Sequence, residues 1–231
     1  MNNPPIIDII IPAFNEENAI GNVLKDIQKS LVREVIVVDN NSKDETQRVA
    51  KAGGATVLEQ PIQGYGAACL KGMEHVAQNA ISPDIIVFLD ADYSDYPEEM
   101  EDLIQPILQQ EMDMVIGSRA LGNKERGSMT PQQVFGNWLA TKMLKWIYGY
   151  EFTDLGPFRA IRYARLLELE MCDMNYGWTV EMQIKAAKHK MKCTEIPVKY
   201  RVRIGESKVS GTVKGTIGAG YKIITTLIKY A

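Results

Sequence analysis

Asp90 and Asp92, separated by one alanine in Leu89-Asp90-Ala91-Asp92, are the two residues of this chain best spaced for chemistry. Two carboxylates one residue apart can share a hard divalent cation, whose shell is usually completed by water and substrate phosphates. That is the chemistry of a diphosphate clamp. An isolated Asp-x-Asp triplet is more often a solvated turn, so what precedes it decides the weight it carries. Here Ile85-Ile86-Val87-Phe88-Leu89 is an unbroken apolar run with no polar alternation, as suits a strand covered on both faces. Burying that strand leaves its carboxyl end at the crevice where open α/β sheets bind ligands.

The elements that must position this pair follow a regular order. Residues 6–11 read as a first buried strand stopped by Pro12, and Asn15-Glu16-Glu17-Asn18 leads into a helix with Ile20, Val23, Leu24, Ile27 and Leu31 at helical spacing. Residues 35–38 form a second strand ending in Asp39, and Ser42-Lys43-Asp44-Glu45 has the form of a capping box. Residues 56–58 make a third strand, Gly64-Tyr65-Gly66 a loop, and 67–80 a helix delivering the chain to the strand at Ile85. A glycine-rich stretch opening a helix can carry phosphate on backbone N–H groups, although the signal is weak alone. This alternation predicts the α/β class: one mainly parallel sheet, helices on both faces and right-handed crossovers. Asn15, Glu16, Asp39, Asp90 and Asp92 then share one sheet edge.

Beyond Pro97 the pattern predicts an acidic helix and a strand over 114–119, and then it loosens. Residues 121–130 are polar with two glycines and read as a mobile loop over the crevice. A helix over 134–148 carries Trp138 and Trp146, which, like Trp178, are expected in the core rather than as sugar platforms. Residues 153–159 read as a tight polar turn, and 179–190 as a helix with Glu181 in its first turn. Residues 195–203 look like an edge strand because Pro197 cannot donate to a ladder. The last helix, 211–230, places Lys214, Lys222 and Lys229 on one face.

Composition sets the bounds. With 231 residues, 45% hydrophobic and 24% charged, one domain is the default. Cys69, Cys172 and Cys193 are odd in number and far apart, suggesting neither a disulfide framework nor a zinc site; His75 and His189 read as helix-surface residues. No basic leader opens the chain and no apolar run reaches membrane-spanning length, so a cytoplasmic protein is expected. The net charge of −3 hides an asymmetry: residues 182–231 hold 11 Lys and Arg against Glu195 and Glu206, a balance of +9 that leaves −12 on residues 1–181. A basic C-terminal fifth points to an anionic partner, with a merely solvated basic face as the bland alternative. Nucleic acid is disfavoured by the acidic body and the lack of a reading motif. A dinucleotide cofactor is disfavoured because Pro12-Ala13-Phe14-Asn15 follows the first strand without glycine.

Taken together, Ile-Pro-Ala-Phe-Asn-Glu-Glu (11–17), Val-Val-Asp-Asn-Asn-Ser-Lys-Asp-Glu-Thr (37–46), Gly-Tyr-Gly-Ala-Ala (64–68), Leu-Asp-Ala-Asp (89–92) and Gly-Ser-Arg (117–119) resemble family 2 glycosyltransferases of GT-A fold. Within them the chain is most similar to dolichyl or polyprenyl phosphate mannosyl- and glucosyltransferases. The resemblance covers nearly the whole chain and implies a nucleotide-sugar-binding half (1–119) and an acceptor-binding half (120–231). It implies that Pro12, Phe14, Glu16 and Asp39 hold the base and ribose of a UDP or GDP sugar, and that Gly66 lets the chain approach the nucleotide. Asp90 and Asp92 would hold Mg2+ or Mn2+ on the diphosphate. Arg119, Arg159, Arg203 and Lys208 become candidates for the leaving diphosphate or an acceptor phosphate. The chain departs from the family pattern at Asn40, where a second Asp is frequent, at Glu45, where Gly is common, and at Pro157, where a small residue is usual.

The reaction so implied transfers a hexose, from UDP-glucose or GDP-mannose, with inversion, its leaving group stabilised by metal and basic side chains. A hydroxyl acceptor must lose a proton to a positioned carboxylate, for which Glu181 and Asp154 are the candidates. A phosphate acceptor arrives anionic, and the Arg and Lys beyond residue 119 favour it. A polyprenyl phosphate would bring peripheral contact with the inner face of a membrane through the helix 211–230. The same helix could instead pack on the body or on a second subunit, as a homodimer. A glycosyltransferase for a soluble or polysaccharide acceptor, and a non-catalytic nucleotide-sugar-binding protein, are the rival readings.

Overall fold

The computed structural model describes residues 4–205 and 213–230. Strand β1 (Ile7–Ala13) is buried at every position. It is followed by α1 (Ile20–Asp26), a 3-10 turn (Lys29–Leu31), β2 (Glu34–Asp39), α2 (Thr46–Ala52), β3 (Thr56–Glu59), α3 (Tyr65–Ala77) and β4 (Ile85–Phe88). A second 3-10 turn (Pro97–Glu99), α4 (Met100–Gln109) and β5 (Met114–Ser118) complete the regular alternation. The remainder is α5 (Pro131–Tyr148), β6 (Arg159–Arg162), α6 (Tyr163–Glu168), α7 (Trp178–Lys188), β7 (Cys193–Pro197) and α8 (Val213–Lys229). The seven strands among the described residues join one sheet in the order β3-β2-β1-β4-β6-β5-β7. Every neighbour pair is parallel except those made by β6, which runs antiparallel to both β4 and β5. The sheet therefore takes strands from both sides of residue 119.

Apolar runs without alternation give strands that bury both faces, and the core accordingly has two parts. One face packs Ile10, Ile36, Val38, Ile86 and Phe88 against α3 and α7, with the Trp178 ring edge-on to Phe88 at 5.8 Å. The other packs Ile9, Ile11, Val37, Val87 and Leu89 against α1 and α4. Helix α3 lies so close to β1 that a Cβ at Gly72 would stand 2.6 Å from Ile10 Cγ2. Asp8, fully buried in β1, is held by the Arg33 guanidinium.

Several expectations are corrected. No capping box forms at Ser42–Glu45: α2 starts at Thr46, whose N–H and hydroxyl both donate to Asp44 Oδ1, while Ser42 Oγ accepts from Asn15 N–H. The polar side chains there join two loops at the crevice instead of ending a helix. Gly66 lies inside α3, whose first residue is Tyr65. Arg159 belongs to a strand, not to the turn before it, because four residues between β4 and β5 suffice to complete the sheet. The edge strand ends at Pro197, as the chain then leaves the sheet toward the crevice. Trp178 is in the core, but Trp138 and Trp146 are exposed, 52% and 85%.

Candidate active site

Parallel pairing of β1 with β2 sets Ala13 opposite Asp39, and β4 lies on the other side of β1, so the carboxyl ends of all three strands open on one crevice. A cavity of about 340 Å³ sits there, lined by Pro12, Phe14, Glu16, Asn40, Gly64, Tyr65, Asp90, Asp92, Tyr176 and Arg203, among others. A second, of about 320 Å³, shares Tyr65, Asp90, Asp92, Tyr176 and Arg203 with the first. It extends between α5 and α8, past Arg119, Gln133, Asn137, Leu155, Pro157 and Ile223. Asp90 and Asp92 stand where the two cavities meet.

Each carboxylate is held in its own way. Tyr65 Oη donates to Asp90 Oδ1 at 3.0 Å. Asp92 Oδ1 accepts from Ser94 N–H at 2.9 Å and from its hydroxyl at 2.5 Å, in a turn that sets Tyr93 at φ 62°. A positive φ at a bulky aromatic residue is costly and persists only where surroundings enforce it. Here the Tyr93 side chain is held on two sides, its hydroxyl donating to Asp26 and its ring under the Arg201 guanidinium at 3.5 Å, which also lies 3.9 Å from the Tyr96 ring. Arg201 N–H also donates to Ser94 O, and Ile204 N–H to Asp92 O. The segment so pinned delivers Arg203, whose Nη2 lies 3.1 Å from both Asp92 Oδ2 and Glu16 Oε1.

Burial, and then the neighbouring charge of Asp92, push the Asp90 carboxyl up to about 7. Behind the pair, Asp95 is buried with neither oxygen hydrogen-bonded among the described residues, and burial followed by the charges of Asp90 and Asp92 raises it strongly. Two carboxylates that repel each other at a strand end are suited to a divalent cation, which would be held by Asp90 and Asp92. Among the described residues no group of three or more His, Cys, Asp or Glu forms a cation cage, so the other ligands would have to be water and substrate oxygens.

The remaining candidates fall into three groups. Pro12, Phe14 and Glu16 line the first cavity, and Asp39 lies beneath it, nearly fully buried, with Oδ2 accepting from Ser42 N–H and Gln47 and Oδ1 without a partner among the described residues. Arg119 reaches the second cavity, stacked 5.1 Å from the Tyr200 ring and gripping Asp154 through Nε and Nη2 at 2.8 and 2.6 Å. Burial would lower its pKa, but the Asp154 charge and hydrogen bonds outweigh this and raise it. Three others lie off the cavities. Arg159 is fully buried and donates to the carbonyls of Leu155, Gly156 and Thr179, with burial lowering its pKa to about 10. Its work here is to hold the 155–157 turn, since all three guanidinium nitrogens are spent on backbone carbonyls. Glu181 is fully buried, accepting from Cys172 and Asp173 N–H, Lys185 and Tyr230. Gly66 faces Asp173, not the cavity: a Cβ there would stand 1.8 Å from Asp173 O. Lys208 lies outside the described residues.

Some site residues have little signal in the sequence. Tyr65 is marked only as the middle of a glycine-rich loop, and Tyr176 sits in a segment without local pattern. Asn40 is informative: Nδ2 donates to Gln60 O and Ile62 O while Oδ1 accepts from Gly64 N–H. An aspartate could not make the first two bonds, which gives the departure at this position a structural reason. The 121–130 loop is tied down by Glu125, whose N–H donates to Tyr200 O and whose Oε2 accepts from Val202 N–H.

Comparison with known proteins gives the family and the fold. A dolichyl-phosphate hexose transferase of Haloferax volcanii is 32% identical over 205 residues, spanning 87% of this chain and 85% of that protein. A UDP-N-acetylglucosamine–dolichyl-phosphate N-acetylglucosaminyltransferase of Methanococcus voltae is 28% identical over 244 residues, spanning 96% and 95%. Glucosyl-3-phosphoglycerate synthase from Mycobacterium tuberculosis, solved with Mn2+, UDP-glucose and phosphoglyceric acid, shares the GT-A fold at a TM-score of 0.75 with 24% identity, over 98% of this chain and 79% of that one. The model of glycosyl transferase family 2 matches residues 8–168, and with the strand-end Asp90 and Asp92 in place the chain belongs to that family of glycosyltransferases.

Proposed function

We propose that this glycosyltransferase moves a hexose from a UDP or GDP sugar to a polyprenyl or dolichyl phosphate, with inversion at the anomeric carbon. The observation that carries the reading is the lining of the second cavity. Apart from Asp90 and Asp92, no carboxylate among the described residues lines it, whereas Arg119 and Arg203 do, with Met129, Leu155, Pro157 and Ile223 as apolar wall. A hydroxyl acceptor placed there would find no free base, since Asp154 is committed to Arg119 and Glu181 is buried elsewhere. A phosphate monoester needs none. Its oxygen attacks the anomeric carbon as the bond to the diphosphate oxygen breaks, and the nucleoside diphosphate leaves with the electron pair. The two dolichyl-phosphate transferases among the relatives support a lipid acceptor.

The donor would occupy the first cavity, with its base against Pro12, Phe14 and the Asn40 loop and its diphosphate beside Asp90 and Asp92. A divalent cation held by Asp90 and Asp92 would supply electrophilic stabilisation of the leaving diphosphate, and the mycobacterial synthase solved in complex with Mn2+ and UDP-glucose supports a divalent metal. Arg203 is placed to leave Asp92 for the diphosphate and match its charge. Arg119, held in one orientation by Asp154 and Tyr200, would orient the acceptor phosphate. The N-terminal half would thus supply most of the donor site, with Tyr176 and Arg203 reaching it from the C-terminal half, which would bind the acceptor.

Transfer from radiolabelled UDP- and GDP-sugars to citronellyl phosphate, a short water-soluble isoprenoid, tests the reading. Organic-extractable product that depends on a divalent cation and vanishes in Asp92→Asn is expected. Product on 3-phosphoglycerate but not on the isoprenyl phosphate would overturn the lipid acceptor in favour of a soluble one.

A further inference from the structure

Helix α5 turns toward solvent a stripe that water-facing helices do not carry. Phe135, Trp138, Lys142, Lys145 and Trp146 follow one another at helical spacing, with Phe135 61%, Trp138 52% and Trp146 85% exposed. Single exposed hydrophobics are ordinary, but a contiguous aromatic stripe marks an interaction surface. Helix α8 lies alongside, tied by Tyr148 Oη donating to Leu227 O at 2.8 Å, and exposes Tyr221 (71%), Ile224 (37%) and Ile228 (62%). Neither helix contains Asp or Glu, and together they hold five lysines. Lys145 pairs with Glu151, which also feels the charge of Lys142, and Lys222 pairs with Asp173, while Lys229 forms no ion pair among the described residues.

The partner follows from this chemistry. Trp and Tyr with lysines between them and carboxylates absent is the composition of segments lying in a bilayer interface, rings at headgroup level and ammonium groups on anionic lipid. A surface for another protein would be depleted in lysine. We propose that the adjoining outer faces of α5 and α8 dock on an anionic phospholipid bilayer. The second cavity lies between these same helices, lined by Gln132, Gln133, Gly136 and Asn137 of α5 and by Gly220 and Ile223 of α8, so docking holds it at the membrane. This deepens the acceptor reading above and rests on it.

The test uses the chain's own tryptophans. The protein is mixed with vesicles of phosphatidylcholine and phosphatidylglycerol, with and without brominated acyl chains, and Trp138→Phe and Trp146→Phe separate the signals. Trp138 and Trp146 emission should shift to the blue and be quenched by bromine, while Trp178, 1% exposed, should not respond. Co-sedimentation should weaken as salt is added or the anionic lipid is omitted, by about fivefold for each lysine that no longer meets an anionic headgroup. Trp138→Glu with Trp146→Glu should reduce vesicle binding at least tenfold, with far-ultraviolet circular dichroism and transfer to citronellyl phosphate in solution unchanged. Failure of the folded protein to bind these vesicles, or vesicle binding that the double variant retains, would overturn the proposal. So would a dimer in sedimentation analysis that the double variant dissolves, which would assign the face to a second copy. Citronellyl phosphate needs no membrane, so loss of docking with retained transfer refutes this surface alone, and docking without transfer refutes the acceptor reading alone.

Discussion

Arg203→Ala should tighten binding of Mn2+ without nucleotide and weaken binding of nucleoside diphosphate, two effects of opposite sign from one substitution. In the structure the Arg203 guanidinium stands 3.1 Å from Asp92 Oδ2 and from Glu16 Oε1, and both acidic side chains are only 8% exposed. A cation arriving at Asp92 must displace it. A hydrogen bond to a charged group is worth about 1.5–3 kcal/mol net, and the partial exposure of Arg203 argues for the lower end. Removing ~1.5 kcal/mol of competition should tighten Mn2+ by about tenfold. With Mn2+ saturating, the variant lacks one guanidinium contact to the diphosphate, worth a similar ~1.5–3 kcal/mol, so UDP or GDP should bind about 10- to 100-fold more weakly. Titrations of free Mn2+ by electron paramagnetic resonance and of nucleotide by calorimetry read the two separately, with Arg203→Lys expected between the extremes. An Mn2+ affinity unchanged or weaker in folded Arg203→Ala would refute the reasoning, since a guanidinium that does not compete for Asp92 cannot be the group that hands it over.

Two further outcomes concern the frame of the site. Burial works against ionisation of Glu181, but hydrogen bonds from Cys172, Lys185, Asp173 N–H and Tyr230 more than offset it and lower its carboxyl to about 2. A depressed acid stabilises the fold above its unfolded value near 4.5 and loses that contribution as pH falls toward 2, so about 2–3 kcal/mol should vanish across that window and the loss should be shallower in Glu181→Gln, by thermal melts at stepped pH. Gly66→Ala would put a Cβ 1.8 Å from Asp173 O, and a backbone atom cannot yield as a side chain does; a loss of about 3 kcal/mol, some 6–12 °C in Tm, is expected, and an unchanged Tm would show that α3 and the 173–174 segment do not need this approach.

The parts of this protein legible in the sequence are those whose physics is local. The runs Ile7–Ala13, Glu34–Asp39 and Ile85–Phe88 are apolar enough that a parallel sheet buried on both faces is the way to satisfy them, and polar residues at the ends of such strands must meet at its carboxyl edge. That reasoning alone brings Glu16, Asp39, Asp90 and Asp92 to one crevice. What only the tertiary structure decided comes from contacts distant in sequence. Arg159-Ala-Ile-Arg162 is too short and too polar at its ends to declare itself a strand, and it becomes one because β4 and β5 leave a gap that an antiparallel partner fills. Once there, the Arg159 guanidinium has carbonyls around it and no route to a phosphate. Gly66 has the sequence setting of a ligand-approach glycine and instead serves the Asp173 backbone, 107 residues on. Trp138 and Trp146 have the helical spacing of core residues, but that spacing is the same for either face of a helix; which face α5 buries was settled by what α7 and α8 offered it. Arg203 meets Asp92 across 111 residues because Arg201 stacks on Tyr93 and Tyr96, a clamp that no local pattern encodes.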